Sequence, residues 1–324
     1  MKLLLTGGTG FFGRALLRRF LSLDAGLFDK IYVISRNPSA FLAAYPEFSC
    51  YSLFTFLKSD ICDRKSLPWD LCFTHVLHAA TDSTKGSCLT PLQLYDQIVN
   101  GTRNVLDLAV ATGANRFLLT SSGAVYGSQP PELAAISEDW SGGPPLDDPH
   151  TAYGHAKRAA EHLCVLVAEQ YGLDVVIARC FAFVGADLPL DVHFAIGNFI
   201  RDALLSQAIT VAGDGTPVRT YLDQQDLAHW LLTLLQSGHP LHTYNVGSDE
   251  EITIADLAYL VRDLLAPTKS VHILGDPVPG ALRNRYVPDI RKANRHLGLG
   301  VTITLADAIR SSGAAAHAAM GMNS

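Results

Sequence analysis

A glycine-rich turn close to the first residue constrains the fold of this 324-residue chain more than any other feature. An apolar run, Lys2-Leu3-Leu4-Leu5-Thr6, leads directly into Gly7-Gly8-Thr9-Gly10-Phe11-Phe12-Gly13, and a segment with helical spacing of apolar residues starts at Arg14. A glycine motif alone is a weak signal, but the order of strand, glycine turn and helix is the context that dinucleotide binding requires. The sequence therefore predicts an opening βα unit that binds the pyrophosphate of a dinucleotide.

Three glycines of the turn have predicted tasks. Gly7 makes the tight turn, Gly10 lets the backbone approach the pyrophosphate, and Gly13 lets the helix pack closely on the strand. Phe11 and Phe12 lie in the first turn of the predicted helix. The free N–H groups there and the positive end of the helix dipole are predicted to bind the phosphates. We therefore expect Gly7, Gly10, Phe11, Phe12 and Gly13 to contact the cofactor.

Short apolar runs alternate with helical patterns through the first half of the chain. Strands are predicted over residues 2–6, 31–34, 51–57, 75–78, 116–121 and 175–179, and helices from 14 and over 92–111 and 153–171. This alternation predicts βαβ crossovers and a parallel sheet covered on both faces, because almost wholly apolar strands suit burial on both sides. We therefore expect an α/β fold.

The alternation stops after residue 185, where prolines and short mixed elements follow. Helices are predicted over 195–205, 226–235 and 254–265, the last opened by Thr253 and Asp256 in a start similar to a capping box. The predicted division is a dinucleotide-binding domain over 1–180 and a smaller domain over 181–310 with crossings back to the sheet. Residues 311–324, rich in Ala, Gly and Ser, are expected to form a flexible tail.

Composition excludes several function classes. The 31 acidic residues outnumber the 25 Lys and Arg, and the net charge of −6 argues against a nucleic-acid partner. No apolar run approaches the roughly 20 residues that span a bilayer, so no membrane partner is predicted. The six cysteines form no CxxC pair and no HExxH motif is present, which predicts no disulfide scaffold and no metal site. Free thiols favour a cytoplasmic location.

Residues at the ends of the second, third and fourth strands are candidates for the adenosine half of the cofactor. Ser35-Arg36 stands where an NAD site would carry Asp or Glu on the ribose. A hydroxyl and a guanidinium accept a 2′-phosphate that a carboxylate would repel, which favours NADP slightly over NAD. Asp60-Ile61 is predicted to hold the adenine amino group, and Ala79-Ala80 offers small residues where the cofactor would touch the backbone.

Tyr153 and Lys157 form a Tyr-xxx-Lys pair at the start of a predicted helix, on one face and one turn apart. A tyrosine is a poor base at neutral pH, but a neighbouring ammonium favours its phenolate. Such a tyrosine exchanges a hydroxyl proton while hydride passes between carbon and nicotinamide. Ser122, at the end of the fifth strand, is placed to hydrogen-bond the same oxygen.

These features together resemble the extended short-chain dehydrogenase/reductases, specifically the NAD(P)-dependent nucleotide-sugar epimerase/dehydratase family. Besides the glycine turn, the matching motifs are Asp60-Ile61, His78-Ala79-Ala80, Asn100-Gly101-Thr102, Thr120-Ser121-Ser122-Gly123-Ala124-Val125-Tyr126-Gly127, Tyr153-xxx-Lys157, Arg179-Cys180-Phe181, Arg219-Thr220-Tyr221 and Tyr244-Asn245-Val246-Gly247. The resemblance implies a Rossmann doubly wound parallel sheet with a smaller C-terminal α/β substrate domain over 181–310.

The resemblance also implies roles for individual residues. Ser122, Tyr153 and Lys157 become the catalytic triad, with Lys157 also holding the nicotinamide ribose, and Asn100 is placed at the cofactor. On the substrate side, the implied contacts to the diphosphate of a nucleotide sugar come from Asn198, Arg219, and either Arg283 or Arg285. Bidentate arginines suit that task and explain how an acidic protein binds an anion. A homodimer through the helices at 92–111 and 153–171 is the family expectation.

The residues after Ser122 are expected to discriminate between reactions. The 4,6-dehydratases of this family carry acidic residues there, and the decarboxylases that make UDP-xylose carry a glutamate two residues beyond the catalytic hydroxyl. Gly123 and Ala124 stand at these places and transfer no proton. The expectation is therefore a 4-epimerase or a 4-ketoreductase acting at C4 of the hexose, with dehydration and decarboxylation disfavoured.

Two other functions stay open at this point. One is an NADPH-dependent reductase of a steroid-like or flavonoid-like ketone. Arg219 and the Arg283/Arg285 pair argue against this function, because an uncharged substrate would not need arginines for its binding. The other is a catalytically idle NAD(P)-binding scaffold, against which the intact set Ser122, Tyr153 and Lys157 speaks.

Overall fold

The computed structural model describes residues 1–22, 26–81, 89–192, 194–278, 280 and 283–321. The strands are β1 (Lys2–Thr6), β2 (Lys30–Ser35), β3 (Phe54–Lys58), β4 (His75–His78), β5 (Arg116–Ser122), β6 (Asp174–Cys180), β7 (Phe183–Val184), β8 (Ala208–Val211), β9 (Val218–Arg219), β10 (Leu222–Asp223), β11 (Thr243–Val246), β12 (Ile252–Thr253), β13 (Ser270–Ile273) and β14 (Arg285–Tyr286). The α-helices are α1 (Phe11–Leu21), α2 (Pro38–Ala44), α3 (Pro91–Ala111), α4 (Ala152–Tyr171), α5 (Ala195–Leu205), α6 (Gln224–Ser237), α7 (Ile254–Leu265), α8 (Arg291–Leu297) and α9 (Leu305–Gly321).

A seven-stranded sheet in the order β11-β6-β5-β4-β1-β2-β3 forms the centre of the fold. The pairs β2–β3, β1–β2, β1–β4, β4–β5 and β5–β6 all run parallel. Because β1 lies between β2 and β4, the chain winds outward from β1 in both directions, and ligands of such sheets bind at that switch point. The predicted α/β fold with a Rossmann-type doubly wound parallel sheet is confirmed.

Burial on both faces explains the apolar strands. Leu3, Leu4 and Leu5 follow one another in β1 and are all fully buried, although their side chains alternate between the two faces. A cluster of buried apolar side chains, the core cluster, includes residues of α3 and α4. These are the two longest helices before residue 180, with 21 and 20 residues. Among the described residues, no helix combines the length and the apolar character needed to cross a membrane.

The contacts within the chain define two compact units. The first contains Met1–Gly127, Ser141–Cys180 and Ala228–Tyr244, and the second contains Ser128–Trp140, Phe181–Leu227 and Asn245–Ser324. The chain therefore leaves the first unit after Gly127 and after Cys180 and returns to it each time. The assignment of the second unit to the substrate stays a prediction.

Short strands and helices build the second unit. Its strands form a three-stranded sheet, β12-β9-β14, and the pairs β10-β7 and β13-β8. The carboxylate of Asp226 accepts the backbone N–H groups of Thr302 and Ile303 at 2.8 and 3.1 Å, which attaches the segment before α9 to the start of α6.

The sequence predicts a flexible tail from residue 311, but in the structure this segment is helical and α9 continues to Gly321. Ser312 is buried and its hydroxyl donates to the Ala308 carbonyl at 2.7 Å. Gly313 lies so close to α7 that a Cβ atom there would be 2.7 Å from Leu265 Cδ2. The many alanines that indicated a loose tail are also the residues that favour helix most.

Candidate active site

The glycine turn presents the backbone to a ligand at the start of α1. Gly7 has a φ of +73°, and a Cβ atom there would lie 2.5 Å from the carbonyl oxygen of Ala79, so only glycine fits. The Gly10 N–H donates to the Gly7 carbonyl at 3.0 Å. Gly10 precedes α1, and neither a side-chain cap nor an acidic residue occupies the first helical turn, where the half-buried Phe11 and Phe12 lie. These features fit a pyrophosphate, which would take the free N–H groups.

Gly8 is a glycine of the turn to which the sequence assigned no task. A Cβ atom at Gly8 would meet Val33 of β2 and Leu5 of β1, and a Cβ atom at Gly13 would meet the backbone of Gly8. The close approach to the strands is thus made by Gly8. Gly13 packs on Gly8 instead of directly on a strand, which refines the role predicted for it.

The end of β2 lies beside the glycine turn. The Ser35 hydroxyl is 3.5 Å from the Thr9 hydroxyl and accepts the Asn37 N–H at 3.3 Å. Arg36 follows Ser35 and is exposed. Ser35 is therefore held close to the turn, as the adenosine-ribose prediction requires, and Thr9 joins it as a further residue of this region.

The segment after β3 is fixed from both sides. The Asp60 carboxylate accepts the N–H of Cys62 at 2.9 Å. Ile61 packs on α3, where a Cβ atom at Gly101 would be 2.6 Å from its Cδ1, and its carbonyl accepts the Asn104 amide at 2.8 Å. Asn104 was not predicted, whereas the predicted Asn100 lies on the exposed side of α3.

A chain of buried hydrogen bonds ties β4 to β1. The Thr6 hydroxyl contacts His78 Nδ1 at 2.7 Å, and His78 Nε2 contacts the Thr102 hydroxyl at 3.1 Å. The N–H groups of Ala79 and Ala80 both donate to the Thr6 hydroxyl at 3.2 Å. Burial and, to a smaller extent, nearby Lys157 together lower the pKa of His78 to about 3, so the imidazole is neutral at physiological pH.

The three predicted catalytic residues lie together in the first unit. The Ser122 hydroxyl lies close enough to Tyr153 to lower the pKa of its phenol. Lys157 is only 3% exposed, and its ammonium lies 5.9 Å from the centroid of the Tyr153 ring. The ammonium donates to the Thr120 carbonyl at 2.9 Å and to the Thr81 hydroxyl at 2.8 Å. Thr81 is a contact that sequence analysis missed, although it directly follows the Ala79-Ala80 motif.

Burial dominates the titration of the catalytic pair. It raises the pKa of Tyr153 to about 12, against the effect of Ser122, which lowers it. Burial also lowers the pKa of Lys157 to about 8, while Cys180 and Glu161 act to raise it. Desolvation therefore dominates the pKa of Tyr153, and the lowering expected from Lys157 is not among its causes.

The segment after Ser122 packs tightly against the first turn of α4. The Ser122 hydroxyl accepts the Ala124 N–H at 3.2 Å and so begins a short 3₁₀ helix, Gly123–Tyr126. A Cβ atom at Gly154 would lie 2.7 Å from the Ala124 carbonyl oxygen. Small residues on both sides thus allow the helix that carries Tyr153 to approach the strand end that carries Ser122.

The predicted substrate arginines lie in the second unit. Arg219 in β9 pairs with Tyr286 of β14, and its guanidinium donates to the carbonyls of Val218 and Asn284 at 2.8 and 3.2 Å. Burial lowers the pKa of Arg219. Arg219 and Arg285 therefore stand on neighbouring strands.

The two remaining arginines differ from each other in their surroundings. Arg285 forms an ion pair with Glu251 and donates to the Ala134 carbonyl at 3.0 Å. Arg283 precedes β14 and is exposed. Of the alternative Arg283 or Arg285, the second is thus held in place by the fold.

Asn198, in the first turn of α5, has an orienting neighbour that was not predicted. Arg201 donates to the Asn198 side-chain oxygen at 3.1 Å and forms an ion pair with Asp202 at 3.0 Å. The side-chain oxygen of Asn198 is thereby engaged. Its NH₂ group is the part of the amide suited to an anionic ligand.

The family model described as "NAD dependent epimerase/dehydratase family" matches residues 3–247. The chain belongs to this family. The resemblance drawn from the motifs is confirmed, and this member of the epimerase/dehydratase family is an NAD(P)-dependent enzyme, so the idle-scaffold alternative is wrong.

Relatives and solved structures agree with this membership. UDP-glucuronic acid decarboxylase 1 of Danio rerio is 29% identical over 309 residues, 95% of this chain and 71% of the relative. UDP-glucuronic acid decarboxylase 6 of Arabidopsis thaliana is 29% identical over 301 residues, 92% of this chain and 83% of the relative.

Among solved structures, a dTDP-glucose 4,6-dehydratase from Streptomyces venezuelae with NAD and TYD bound has a TM-score of 0.82 at 25% identity, covering 99% of this chain and 98% of that one. UDP-glucuronic acid 4-epimerase from Bacillus cereus in complex with NAD has a TM-score of 0.81 at 23% identity, covering 98% and 99%. RMD from Pseudomonas aeruginosa, complexed with NADPH, has a TM-score of 0.78 at 23% identity and covers 98% and 99%. These likenesses support the fold, and the bound molecules are those of the neighbours.

The decarboxylase relatives contradict the predicted function, a 4-epimerase or 4-ketoreductase with decarboxylation disfavoured. The exclusion rested on the missing acidic residue at Ala124. A carboxylate there matters where a proton must be removed, but loss of CO₂ from a β-keto acid removes none. The electron pair of the breaking C–C bond passes to the neighbouring carbonyl oxygen, so oxidation at C4 already provides what the step needs.

Tyr153→Phe is expected to lower turnover at least about 100-fold, because the variant keeps the ring and loses the proton-transferring hydroxyl. Binding of NAD(P), followed by protein fluorescence, should change little. Tyr171→Phe is the matched control, since Tyr171 lies in the same helix but is 52% exposed. A Tyr153→Phe enzyme with near-normal turnover would show that another group moves the proton.

Proposed function

We propose that this enzyme oxidises C4 of a UDP-hexuronic acid and that the resulting 4-keto acid loses its C6 carboxylate as CO₂. The observation that carries the proposal is the buried ammonium of Lys157 beside the Tyr153 ring, with Ser122 close enough to lower the pKa of the phenol. That set suits removal of a proton from a secondary alcohol. The substrate comes from the relatives, which are UDP-glucuronic acid decarboxylases.

Tyr153 takes the C4 hydroxyl proton in this scheme, and Ser122 hydrogen-bonds the same oxygen. The glycine turn and Lys157 would hold NAD(P), which would supply the hydride chemistry at C4 in both halves of the reaction. Its oxidised ring would bring a positive charge that favours the phenolate of Tyr153, whose pKa burial raises to about 12. Lys157, which donates to Thr120 and Thr81, places its positive charge close to Tyr153 as well.

Carbon–carbon cleavage follows from the ketone. The C5–C6 bond breaks, its electron pair enters the C4 carbonyl as an enolate, and CO₂ leaves. Solvent supplies the proton that C5 then gains, because Tyr153 returns its own proton to the C4 oxygen in the final reduction. Ser122 is the hydroxyl donor suited to the developing negative charge on the C4 oxygen, and Tyr153 carries the proton acquired in the first step. Ala124 takes part in none of these transfers.

Cations of the second unit are proposed to bind the anionic part of the substrate. Arg219 is anchored by two carbonyls and has neighbours Tyr221 and Tyr286. We assign Arg219 and Asn198 to the diphosphate, with Arg285 as the second arginine because its backbone belongs to β14.

For the cofactor, we propose a slight preference for NADP over NAD. The support is the position of Ser35 beside the glycine turn, followed by Arg36, with a hydroxyl and a guanidinium in place of a carboxylate. Both forms of the cofactor supply the same hydride chemistry, so this preference concerns affinity only.

We also propose a homodimer that uses the outer faces of α3 and α4. The two helices pack on each other in the core cluster, and α4 leaves Val165 and Leu166 exposed at 41% and 50%. Adjacent apolar side chains on a long surface helix suit burial against a second copy. A cytoplasmic location is proposed from the five described cysteines, all of which are free thiols.

Incubation of the enzyme with UDP-glucuronic acid and NAD⁺ or NADP⁺ is expected to release CO₂ and to form a UDP-pentose, measured by trapped labelled CO₂ and mass spectrometry. UDP-glucose, which lacks the C6 carboxylate, should release none. Conversion of UDP-glucuronic acid to its C4 epimer without CO₂ would contradict the proposal, as would failure to bind it.

Arg36→Gln is expected to weaken NADP binding about tenfold or more while leaving NAD binding within about twofold, because a charge-assisted bond to the 2′-phosphate is lost. Dissociation constants for both cofactors from calorimetry would check this. Arg18→Gln, at the far end of α1, is the matched control. Equal losses for both cofactors would rule out a 2′-phosphate contact.

Sedimentation equilibrium is expected to give twice the chain mass for the natural enzyme and a shift toward monomer for Leu166→Glu. Leu205→Glu is the control, because Leu205 is also exposed, at 65%, but lies on α5. A natural enzyme that sediments as a stable monomer would remove the dimer proposal.

A further inference from the structure

A buried ion pair lies one helical turn beyond the catalytic lysine. Tyr153, Lys157 and Glu161 follow one another at four-residue spacing in α4, so the three side chains share one face of the helix. Glu161 is buried, and its partner is Arg179 in β6. The sequence motif that contains Arg179 drew attention to that residue, but no task was assigned to either member of the pair.

The Glu161 carboxylate joins three elements. Arg179 donates to it through Nε at 3.0 Å and through Nη2 at 2.7 Å, which is a bidentate contact. The Ser121 hydroxyl donates to the same carboxylate at 2.5 Å. Ser121 pairs with Arg179 across β5 and β6, and the next residue of β5 is Ser122. A single carboxylate therefore links α4, which carries the base, to the strand end that carries Ser122.

Arg179 is held from its other side as well. Its guanidinium lies 4.6 Å from the centroid of the Tyr126 ring, in the 3₁₀ helix that Ser122 begins. The guanidinium thus contacts the segment that follows the catalytic serine, and the carboxylate contacts the residue that precedes it. The residues on both sides of Ser122 are therefore held by the Glu161–Arg179 pair.

The charges that face Lys157 come from three elements. Tyr153, Glu161 and Cys164 face it from α4, Cys180 from β6, and His78 from β4. Burial raises the pKa of Cys180 to about 12 and that of Cys164 as well, so both are neutral thiols. Of these described groups, Glu161 is the carboxylate, and its ion pair with Arg179 balances its charge.

We propose that Glu161 and Arg179 are positioning residues whose bonds hold Tyr153 and Lys157 against Ser122 and whose opposite charges cancel at Lys157. The inference rests on the roles of Tyr153 and Lys157 in the proposed function, but not on the substrate. A merely structural pair would stabilise the fold without affecting turnover, and the two roles are therefore separable by the kcat of a variant that lacks both charges.

Three variants test the pair through the titration of Lys157 itself. Glu161→Gln leaves an unpaired buried guanidinium and should lower the Lys157 midpoint by about one pH unit, whereas Arg179→Gln leaves an unpaired carboxylate and should raise it. The double variant Glu161→Gln/Arg179→Gln removes both charges and should return the midpoint to within about 0.3 unit of the natural one. The midpoint is read by NMR of full-length enzyme with ¹³Cε-labelled lysine, the signal being assigned by its loss in Lys157→Met.

The same variants separate positioning from binding. In the double variant we expect kcat to fall about tenfold or more with little change in the KM of the nucleotide sugar, because the bonds on both sides of Ser122 are gone. Glu169→Gln, an exposed carboxylate of the same helix, is the control and should change neither readout. The titration needs no turnover, so a wrong substrate assignment leaves this test intact.

Two results would overturn the proposal. One is a shift of the Lys157 midpoint in the same direction, or no shift, in both single variants. The other is a double variant with natural kcat and lowered thermal stability, which would make the pair structural only. If a single variant does not fold because one buried charge is left unpaired, the charge-neutral double variant and Arg179→Lys still decide between the two roles.

Discussion

The hydroxyl group of Thr6 is the contact on which the cofactor side of the first unit depends. It accepts the N–H groups of Ala79 and Ala80 and contacts His78, so the last residue of β1 holds the end of β4. Gly7 then passes within a distance of Ala79 that excludes any side chain. The turn is positioned by bonds between neighbouring strand ends, and Lys157, the proposed catalytic lysine, contacts Thr81, the residue after Ala80.

Helices whose apolar residues recur at clear helical spacing were predictable from the sequence. The predicted helices at 195–205 and 254–265 have the bounds of α5 and α7, and the Thr253 hydroxyl accepts the Asp256 N–H at 3.0 Å as the capping pattern indicated. The short helix α2 was not predicted, because its start depends on a side-chain cap from Asn37 and on Pro38, with only seven residues of pattern behind them. Local signals of that size compete with tertiary packing.

The proposed catalytic residues stand out in the sequence because each belongs to a local pattern: two residues at helical spacing and a serine at a strand end. The supporting contacts do not. Thr81 and Lys157 are 76 residues apart, and the carboxylate of Glu161 meets Ser121 across 40 residues. Long-range pairs of this kind leave no period in the sequence. The prediction that disfavoured decarboxylation was wrong for a different reason. It relied on the missing acidic residue at Ala124, whereas loss of CO₂ needs a carbonyl that accepts the electron pair of the breaking bond.

The interleaved course of the chain has a consequence for its synthesis. The first unit is completed only by Ala228–Tyr244, whereas Phe181–Leu227 of the second unit precede that segment, and β11 and α6 are each divided between the units. On the ribosome, the residues of the edge strand β11 therefore emerge after a large part of the second unit. The Rossmann sheet therefore cannot be finished as an isolated N-terminal product, because its edge strand is made only after Phe181–Leu227 of the second unit.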